Sequence, residues 1–65
     1  MVQINGEAVD AAGQNLLTYI EDTGYVPAHV AVERNLQILP RDTWNTVTIE
    51  DGDVIEILQF MGGGQ

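Results

Sequence analysis

The sequence predicts an α+β fold in which a mixed sheet of four to five strands carries one helix on a single face. Two patterns predict it. Apolar residues alternate with polar ones near both ends of the chain, as strands require, and one short stretch between them has helical spacing. The predicted order is strand, strand, helix, strand, strand, strand. A chain of 65 residues is expected to form one domain, which at this size buries only about 60% of its unfolded surface.

Residues 1–9 predict a hairpin. Val2 and Ile4 follow the strand period, and Asn5-Gly6 is the strongest short hairpin signal. A loop at these two residues places Val9 opposite Val2. Because directly opposed residues share a face of the sheet, Val2, Ile4 and Val9 should line the core.

A helix of about nine residues should follow this hairpin. Asn15 is a suitable N-cap, because its side chain can accept a hydrogen bond from a free backbone N–H. The apolar stripe of the helix is Leu16, Leu17 and Ile20, and Gly24 can end the helix in a left-handed conformation. A helix this short is not stable alone, so its stripe must pack on the sheet.

Residues 28–33 alternate again and predict a third strand, with one face formed by Ala28, Val30 and Val32. A turn centred on Asn35-Leu36 places Val32 opposite Leu39 in the fourth strand. Leucine is unfavourable at the positive φ of such a turn, so the sequence leaves this register open. Pro40 ends the fourth strand, because proline cannot donate a ladder hydrogen bond.

Three short pieces connect the fourth strand to the last one. Residues 41–44 should form a turn or one helical turn, residues 46–49 an extended piece, and residues 51–53 a turn. Residues 53–60 then form the last and most apolar strand. If the first and last strands are central and pair with each other, the C-terminal tail leaves from the middle of the sheet.

The last strand predicts a partner-binding surface. Because Glu56 marks its outward face, the alternate residues Ile55 and Ile57 should belong to the core. Leu58 and Phe60 share the face of Glu56 and should be exposed, although a neighbouring loop could instead cover them. Exposed apolar patches often mark interfaces.

The chain therefore divides into a folded domain, residues 1–61, and a flexible tail, residues 62–65. The tail is Gly62-Gly63-Gly64-Gln65 and has almost no side chains to pack. The candidate partner-binding residues beside it are Leu58, Phe60 and Met61.

No metal site or catalytic centre is predicted. His29 is the only histidine and is expected on the surface, and the carboxylates of residues 50–53 do not match an EF-hand loop. Trp44 is expected to pack over one end of the sheet. Arg41, one of two cations among ten carboxylates, is expected to make an internal ion pair. Since there is no cysteine and no nucleophile–base pair, an independent enzyme is disfavoured.

The charge balance restricts the partners. The chain has ten carboxylates, two arginines and no lysine, for a formal net charge of −8. Nucleic acids and anionic membranes attract basic proteins, so both are disfavoured as partners. A protein with a basic face is expected, although acidity also keeps a small protein soluble. No apolar run reaches the roughly 20 residues of a membrane span and no signal peptide is evident, so a cytoplasmic location is expected.

Four short runs, in order along nearly the whole chain, resemble the ThiS family of sulfur carriers in thiamine biosynthesis, which have the ubiquitin-like β-grasp fold. They are Val30-Ala31-Val32-Glu33-Arg34-Asn35, Pro40-Arg41 with Trp44 three residues later, Asp51-Gly52-Asp53, and Phe60 running through Met61 into the glycines. Each run alone is weak, whereas their order and spacing are specific. Leu36 departs from the family, which often has glycine at this turn position.

The resemblance implies that the chain is a protein co-substrate that binds no cofactor of its own. In that family an adenylating enzyme related to ubiquitin-activating enzymes uses ATP and Mg to activate the terminal glycine carboxylate. A persulfide enzyme supplies sulfur, and thiazole synthase takes the sulfur from the resulting thiocarboxylate. Carried over, Gly63 and Gly64 form the site, and Gly64 bears the sulfur.

Gln65 departs from this pattern, because the family usually ends at Gly-Gly. A protease could remove Gln65, the chain could serve sulfur-amino-acid or molybdenum-cofactor synthesis, or the tail could be inactive. Two other classes stay open on the sequence. One is a modifier conjugated to target lysines, and the other is a β-grasp interaction module without tail chemistry.

Overall fold

The structure is a computed structural model that describes residues 1–60. Within this range one α-helix packs on one face of a five-stranded mixed sheet, so the predicted fold class is confirmed. The elements in chain order are β1 (Val2–Ile4), β2 (Glu7–Val9), α1 (Leu16–Asp22), a 3-10 helix (Pro27–His29), β3 (Val30–Arg34), β4 (Gln37–Leu39), a second 3-10 helix (Arg41–Thr46) and β5 (Val54–Gln59). None of the helices in residues 1–60 is long and apolar enough to cross a membrane.

The sheet has the strand order β2-β1-β5-β3-β4. The pairing of β1 with β5 is parallel, and the other three pairings are antiparallel. As predicted, the first and last strands are neighbours, and β5 is the central strand. The chain therefore leaves the sheet from its middle.

The first hairpin has the predicted register, with Val2 opposite Val9. Its two loop residues, Asn5 and Gly6, have φ values of 51° and 84°. Positive φ at both positions is the geometry that favours an Asn-Gly loop between right-twisted strands. Val2 and Ile4 are buried in the core, and Val9 packs against it.

Helix α1 has the predicted N-cap at Asn15 and the predicted glycine after its C-terminus, but it is seven residues long rather than about nine. The Asn15 side chain accepts a hydrogen bond from the Thr18 backbone N–H at 3.0 Å. Gly24 has φ +94°, the left-handed conformation that ends the helix. Leu16 and Ile20 are fully buried, which joins the helix to the sheet through one core.

The second hairpin resolves the register that the sequence left open. Val32 lies opposite Leu39, and the turn is centred on Asn35 and Leu36 with φ values of 50° and 70°. Leu36 therefore adopts a left-handed conformation in spite of its side chain. The Asn35 side chain accepts a hydrogen bond from the Val54 N–H at 2.9 Å, which fixes this turn against β5.

The predicted start of the third strand at residue 28 is wrong. Ala28 is exposed and lies in the 3-10 helix, and β3 begins at Val30. Pro27 explains the difference, because its fixed φ suits the first residue of a helical turn. His29 closes that turn with an N–H bond to the Val26 carbonyl at 2.8 Å, and its side chain is on the surface.

The prediction for Arg41 is also wrong, because its guanidinium makes no ion pair within residues 1–60. Its guanidinium donates hydrogen bonds to the carbonyls of Pro27 at 2.9 Å and Val30 at 2.7 Å, and it lies 5.4 Å from the centre of the Trp44 ring. Trp44 is 1% exposed, and its indole N–H donates to the Leu39 carbonyl at 3.0 Å. The packing role predicted for Trp44 is confirmed, with Arg41 joining the two 3-10 helices beside it.

The connection between Trp44 and β5 is largely irregular. Of the extended piece predicted for residues 46–49, Thr46 belongs to the 3-10 helix and Thr48 makes a single bridge with Asn15. The predicted turn at residues 51–53 is present, with Gly52 at φ +89°.

Candidate functional site

The end of β5 is the part of the described chain that leads to the predicted tail. The strand ends at Gln59, and the N–H of Phe60 donates a hydrogen bond to the His29 carbonyl at 2.9 Å. The backbone is therefore held to β3 up to Gln59 and to His29, immediately before β3, at Phe60. The residues predicted to act beyond this point, which are Met61, Gly62, Gly63, Gly64 and Gln65, lie outside the described residues.

The two faces of β5 differ as predicted. Ile55 and Ile57 are 1% and 5% exposed and belong to the core, because α1 packs on their face. On the other face Leu58 is 50% and Phe60 is 55% exposed. Their exposure is therefore an observation, whereas their role in binding a partner stays a prediction.

The open face of the sheet also carries opposed carboxylates. Glu56 on β5 lies directly opposite Glu33 on β3, and Leu58 lies opposite Ala31 in the next pair. Ile38 on β4, which is 64% exposed, lies opposite Glu33. This open face thus carries both apolar and acidic side chains, with two glutamates side by side.

The two arginines of the chain are engaged away from this pair of glutamates. Arg34 lies 3.5 Å from a carboxylate oxygen of Asp53 and also donates to the Thr48 carbonyl at 3.3 Å. Arg41 is held by the carbonyls of Pro27 and Val30. Since the chain has no lysine, its excess negative charge is left without compensation from basic side chains.

The carboxylates of Asp51 and Asp53 have local partners. Asp53 accepts hydrogen bonds from the Glu50 N–H at 3.0 Å and from the Asn35 side chain at 3.2 Å. A hydrogen bond from the Met1 amino group holds the pKa of Asp51 below its usual range. Within residues 1–60 there is no group of three or more side chains suited to hold a metal ion.

Sequence reasoning missed the side chains that hold β5 at its two flanks. Asn5 accepts a hydrogen bond from the Ile57 N–H at 2.7 Å, and Asn35 accepts one from the Val54 N–H at 2.9 Å. Each asparagine was identified only as a turn residue. The missing information was the position of each turn against a strand far away in the sequence.

Comparison with known proteins gives consistent results. Residues 2–64 match the ThiS family model. The chain is 40% identical over 65 residues to a thiazole synthase of Magnetococcus marinus. The aligned region covers 98% of this chain but only 20% of the length of that protein. It is 34% identical to the sulfur carrier protein ThiS of Escherichia coli strain K12, over 97% of each chain. The crystal structure of a thiamine biosynthesis protein (ThiS) of Geobacter metallireducens superimposes with a TM-score of 0.75 at 34% identity, again over 97% of each chain.

Proposed function

The chain belongs to the ThiS family, as its sequence motifs predicted, and from this premise we propose that it carries sulfur as a thiocarboxylate on a C-terminal glycine for thiazole synthesis. The main support is the match over residues 2–64, which includes the three glycines that follow β5. The E. coli relative, matched over nearly its whole length, is itself named a sulfur carrier.

The proposed chemistry takes place on partner enzymes. A carboxylate is a poor electrophile, and adenylation by ATP gives it a good leaving group. The outer sulfur of a persulfide enzyme then attacks the acyl adenylate and displaces AMP, which leaves with one carboxylate oxygen. A thiol reductant cleaves the resulting acyl disulfide and frees the thiocarboxylate. Mg and nucleotide belong to the adenylating enzyme, so this chain supplies a reactive end and a surface that the partner recognises.

In this proposal Gly64 bears the sulfur and Gly63 precedes it in the partner's active site. Glycine has no Cβ, so an extended stretch from Gly62 to Gly64 can enter a narrow channel without side-chain clashes. Gln65 has to be removed first, by a protease, because its presence leaves Gly64 without a free carboxylate. Strand β5, which precedes these residues, is the central strand and lies away from both edges of the sheet.

Docking is assigned to the exposed apolar residues Leu58 and Phe60 together with Met61. The formal charge of −8 favours partners with a basic face, because opposite fields speed encounter. The proposed partners are an adenylating enzyme related to ubiquitin-activating enzymes and thiazole synthase, in the cytoplasm. A thiazole synthase with a segment 40% identical to this chain in one fifth of its length is consistent with the second partner.

The test is the intact mass of the protein purified from its own host. Loss of Gln65 together with exchange of one oxygen for sulfur is the expected result. A variant lacking residues 62–65 is the control and should gain no sulfur. A chain that ends at Gly64 and gains no sulfur after incubation with the adenylating enzyme, ATP and a sulfur donor would contradict the proposal.

A further inference from the structure

Strand β5 extends beyond the end of β1, one of its two neighbouring strands. On one side, β3 pairs with it as far as Gln59, which lies opposite Val30. On the other side, the last residue of β1 is Ile4, which pairs with Ile55. The final residues of β5 therefore have a neighbouring strand on one side only.

The hydrogen bonds define which residues face the shorter neighbour. The Phe60 N–H donates to the His29 carbonyl, and the Asn35 N–H donates to the Val54 carbonyl. Even-numbered residues of β5 thus direct their backbone groups toward β3. Because successive residues of a strand alternate, the backbone groups of Ile57 and Gln59 point toward the side of β1.

Asn5 ends the ladder between β1 and β5. Its N–H donates to the Ile55 carbonyl at 2.9 Å, and its side-chain oxygen accepts from the Ile57 N–H at 2.7 Å. That oxygen takes the place of the backbone carbonyl that a longer β1 would present. Beyond it, no other residue in the described range 1–60 pairs with the Ile57 carbonyl or the Gln59 N–H.

The space beside the Gln59 end of this edge is accessible, whereas Ile57 is 5% exposed. Gly6 forms the tip of the hairpin next to Asn5, and a Cβ added at Gly6 would meet no atom within 4 Å. Glu7 and Gln59, on the two sides of the gap, are both exposed. A strand added here would extend the sheet where β1 stops.

We propose that the free edge of β5 at Ile57–Gln59 binds an extended segment of a protein partner as an added strand. Backbone hydrogen bonds to an exposed sheet edge are a common mode of peptide recognition. The identity of the partner rests on the proposed function, and we assign the segment to the adenylating enzyme. A strand bound there would fix the orientation of this protein at Gln59, immediately before Phe60 and the sequence that leads to the glycines.

Charge defines the chemistry of this segment. Glu7 lies at the hairpin side of the gap and Glu56 lies in β5 itself, and the whole chain carries a formal charge of −8. The bound segment should therefore carry at least one lysine or arginine. A second copy of this chain is a poor occupant, because juxtaposed like charges oppose association.

The two outer edges of the sheet are less suitable. Strand β4 has three residues and is followed by Pro40, which lacks an N–H. Strand β2 also has three residues and begins with Glu7. The gap beside β5 combines free backbone groups with a position next to the exposed Phe60, so we favour it.

The test compares Gln59→Pro with Gln59→Ala in binding to the adenylating enzyme of the same host. Proline removes the N–H that faces the gap and leaves the β3 ladder intact, since proline is tolerated at strand edges. Alanine removes the side chain and keeps the N–H. We expect the proline variant to bind about tenfold more weakly, as for the loss of one or two hydrogen bonds, and the alanine variant to bind like wild type.

Amide hydrogen exchange measured by NMR provides a second readout that needs no variant. The Gln59 amide should exchange fast in the free protein and become protected in the complex, whereas the Leu58 amide, bonded to β3, should be protected in both. This inference alone would be overturned if wild type binds, the proline variant binds with the same affinity, and the Gln59 amide gains no protection in the complex. Failure of wild type to bind the adenylating enzyme would overturn both the inference and the proposed function.

Discussion

The side chain of Asn5 accepts a hydrogen bond from the backbone N–H of Ile57, 52 residues later in the chain. Asn5 thus serves two purposes, because its left-handed backbone, with φ 51°, also makes the first hairpin turn. Ile57 is 5% exposed, so its N–H would be poorly hydrated without this acceptor. One residue therefore joins the start of the sheet to the strand that precedes the tail.

Replacing Asn5 with glycine should separate the two purposes. Glycine tolerates the positive φ but offers no side-chain acceptor, so we expect the free energy of unfolding to fall by about 1–3 kcal/mol. The measurement is urea denaturation followed by circular dichroism. Asn5→Asp is the control, because aspartate keeps an acceptor and tolerates this backbone. Equal stability of the glycine variant and wild type would show that the hydrogen bond contributes nothing.

Replacing Leu36 with glycine should stabilise the folded protein. Leu36 has φ +70° and is 90% exposed, so its side chain gains no burial within the described fold while its Cβ is strained. We expect Leu36→Gly to raise the free energy of unfolding by up to about 1 kcal/mol, since the left-handed conformation costs an L-residue about 1–2 kcal/mol. Leu36→Ala keeps the Cβ and should give no such gain. A stability gain as large in the alanine variant would assign the effect to the exposed side chain instead.

Substitution of Trp44 should lower the stability of the fold more than substitution of any other core residue. Trp44 is 1% exposed and belongs to the core, it lies in the second 3-10 helix, which packs against α1, and its indole N–H donates to the Leu39 carbonyl. We expect Trp44→Ala to cost about 3–5 kcal/mol, a large share of the stability of a small domain. Trp44→Phe keeps most of the volume and should cost less. Thermal unfolding followed by far-UV circular dichroism measures both, and similar melting temperatures of wild type and the alanine variant would contradict the prediction.

Burial raises the pKa of the Tyr19 phenol above its usual value of 10.0, and nearby Tyr25 and Glu7 add to the shift. The neutral form is therefore favoured in the folded state. This contribution to stability is complete below pH 10.0 and is lost as the pH rises through the folded pKa. We expect stability to decrease in that alkaline range.

Tyr25→Phe makes the Tyr19 titration measurable, because the chain has two tyrosines. Absorbance of the phenolate should show Tyr19 ionising at higher pH in the folded variant than in the same variant unfolded by urea. Equal midpoints in the two states would show that burial does not affect this phenol.

Local signals explain why much of the fold could be predicted. The Asn5-Gly6 loop, the cap at Asn15 and the alternation in β5 each depend on a few adjacent residues, and each prediction agrees with the structure. The exposure of Leu58 and Phe60 followed from the same alternation, once a single helix was expected on one face.

The wrong prediction for Arg41 depended on contacts between distant segments. Arg41 was assigned an ion pair from the charge count, but the nearest acceptors are the carbonyls of Pro27 and Val30, which the fold brings within reach. Likewise, the free edge at Gln59 depends on the unequal lengths of β1 and β5. Neither relationship has a signal in the local sequence.

Phe60→Asp should test the proposed docking surface at the end of β5. Phe60 is 55% exposed, so a charge there should leave the fold intact, which the amide spectrum can verify. We expect affinity for the adenylating enzyme to fall at least about tenfold, equal to about 1.4 kcal/mol, because an apolar contact is lost and a charge is placed in the interface.

Val54→Asp is the matched control for this variant. Val54 begins β5, shares the face of Phe60 by alternation and is 44% exposed, but it is six residues from Phe60, or about 20 Å along the extended chain. Its variant adds the same charge to an acidic chain, so it measures the general electrostatic effect on association. Weakening confined to Phe60→Asp would locate the contact beside the tail, because charge alone should affect both variants alike. Equal affinities of Phe60→Asp and Val54→Asp would remove Phe60 from the interface.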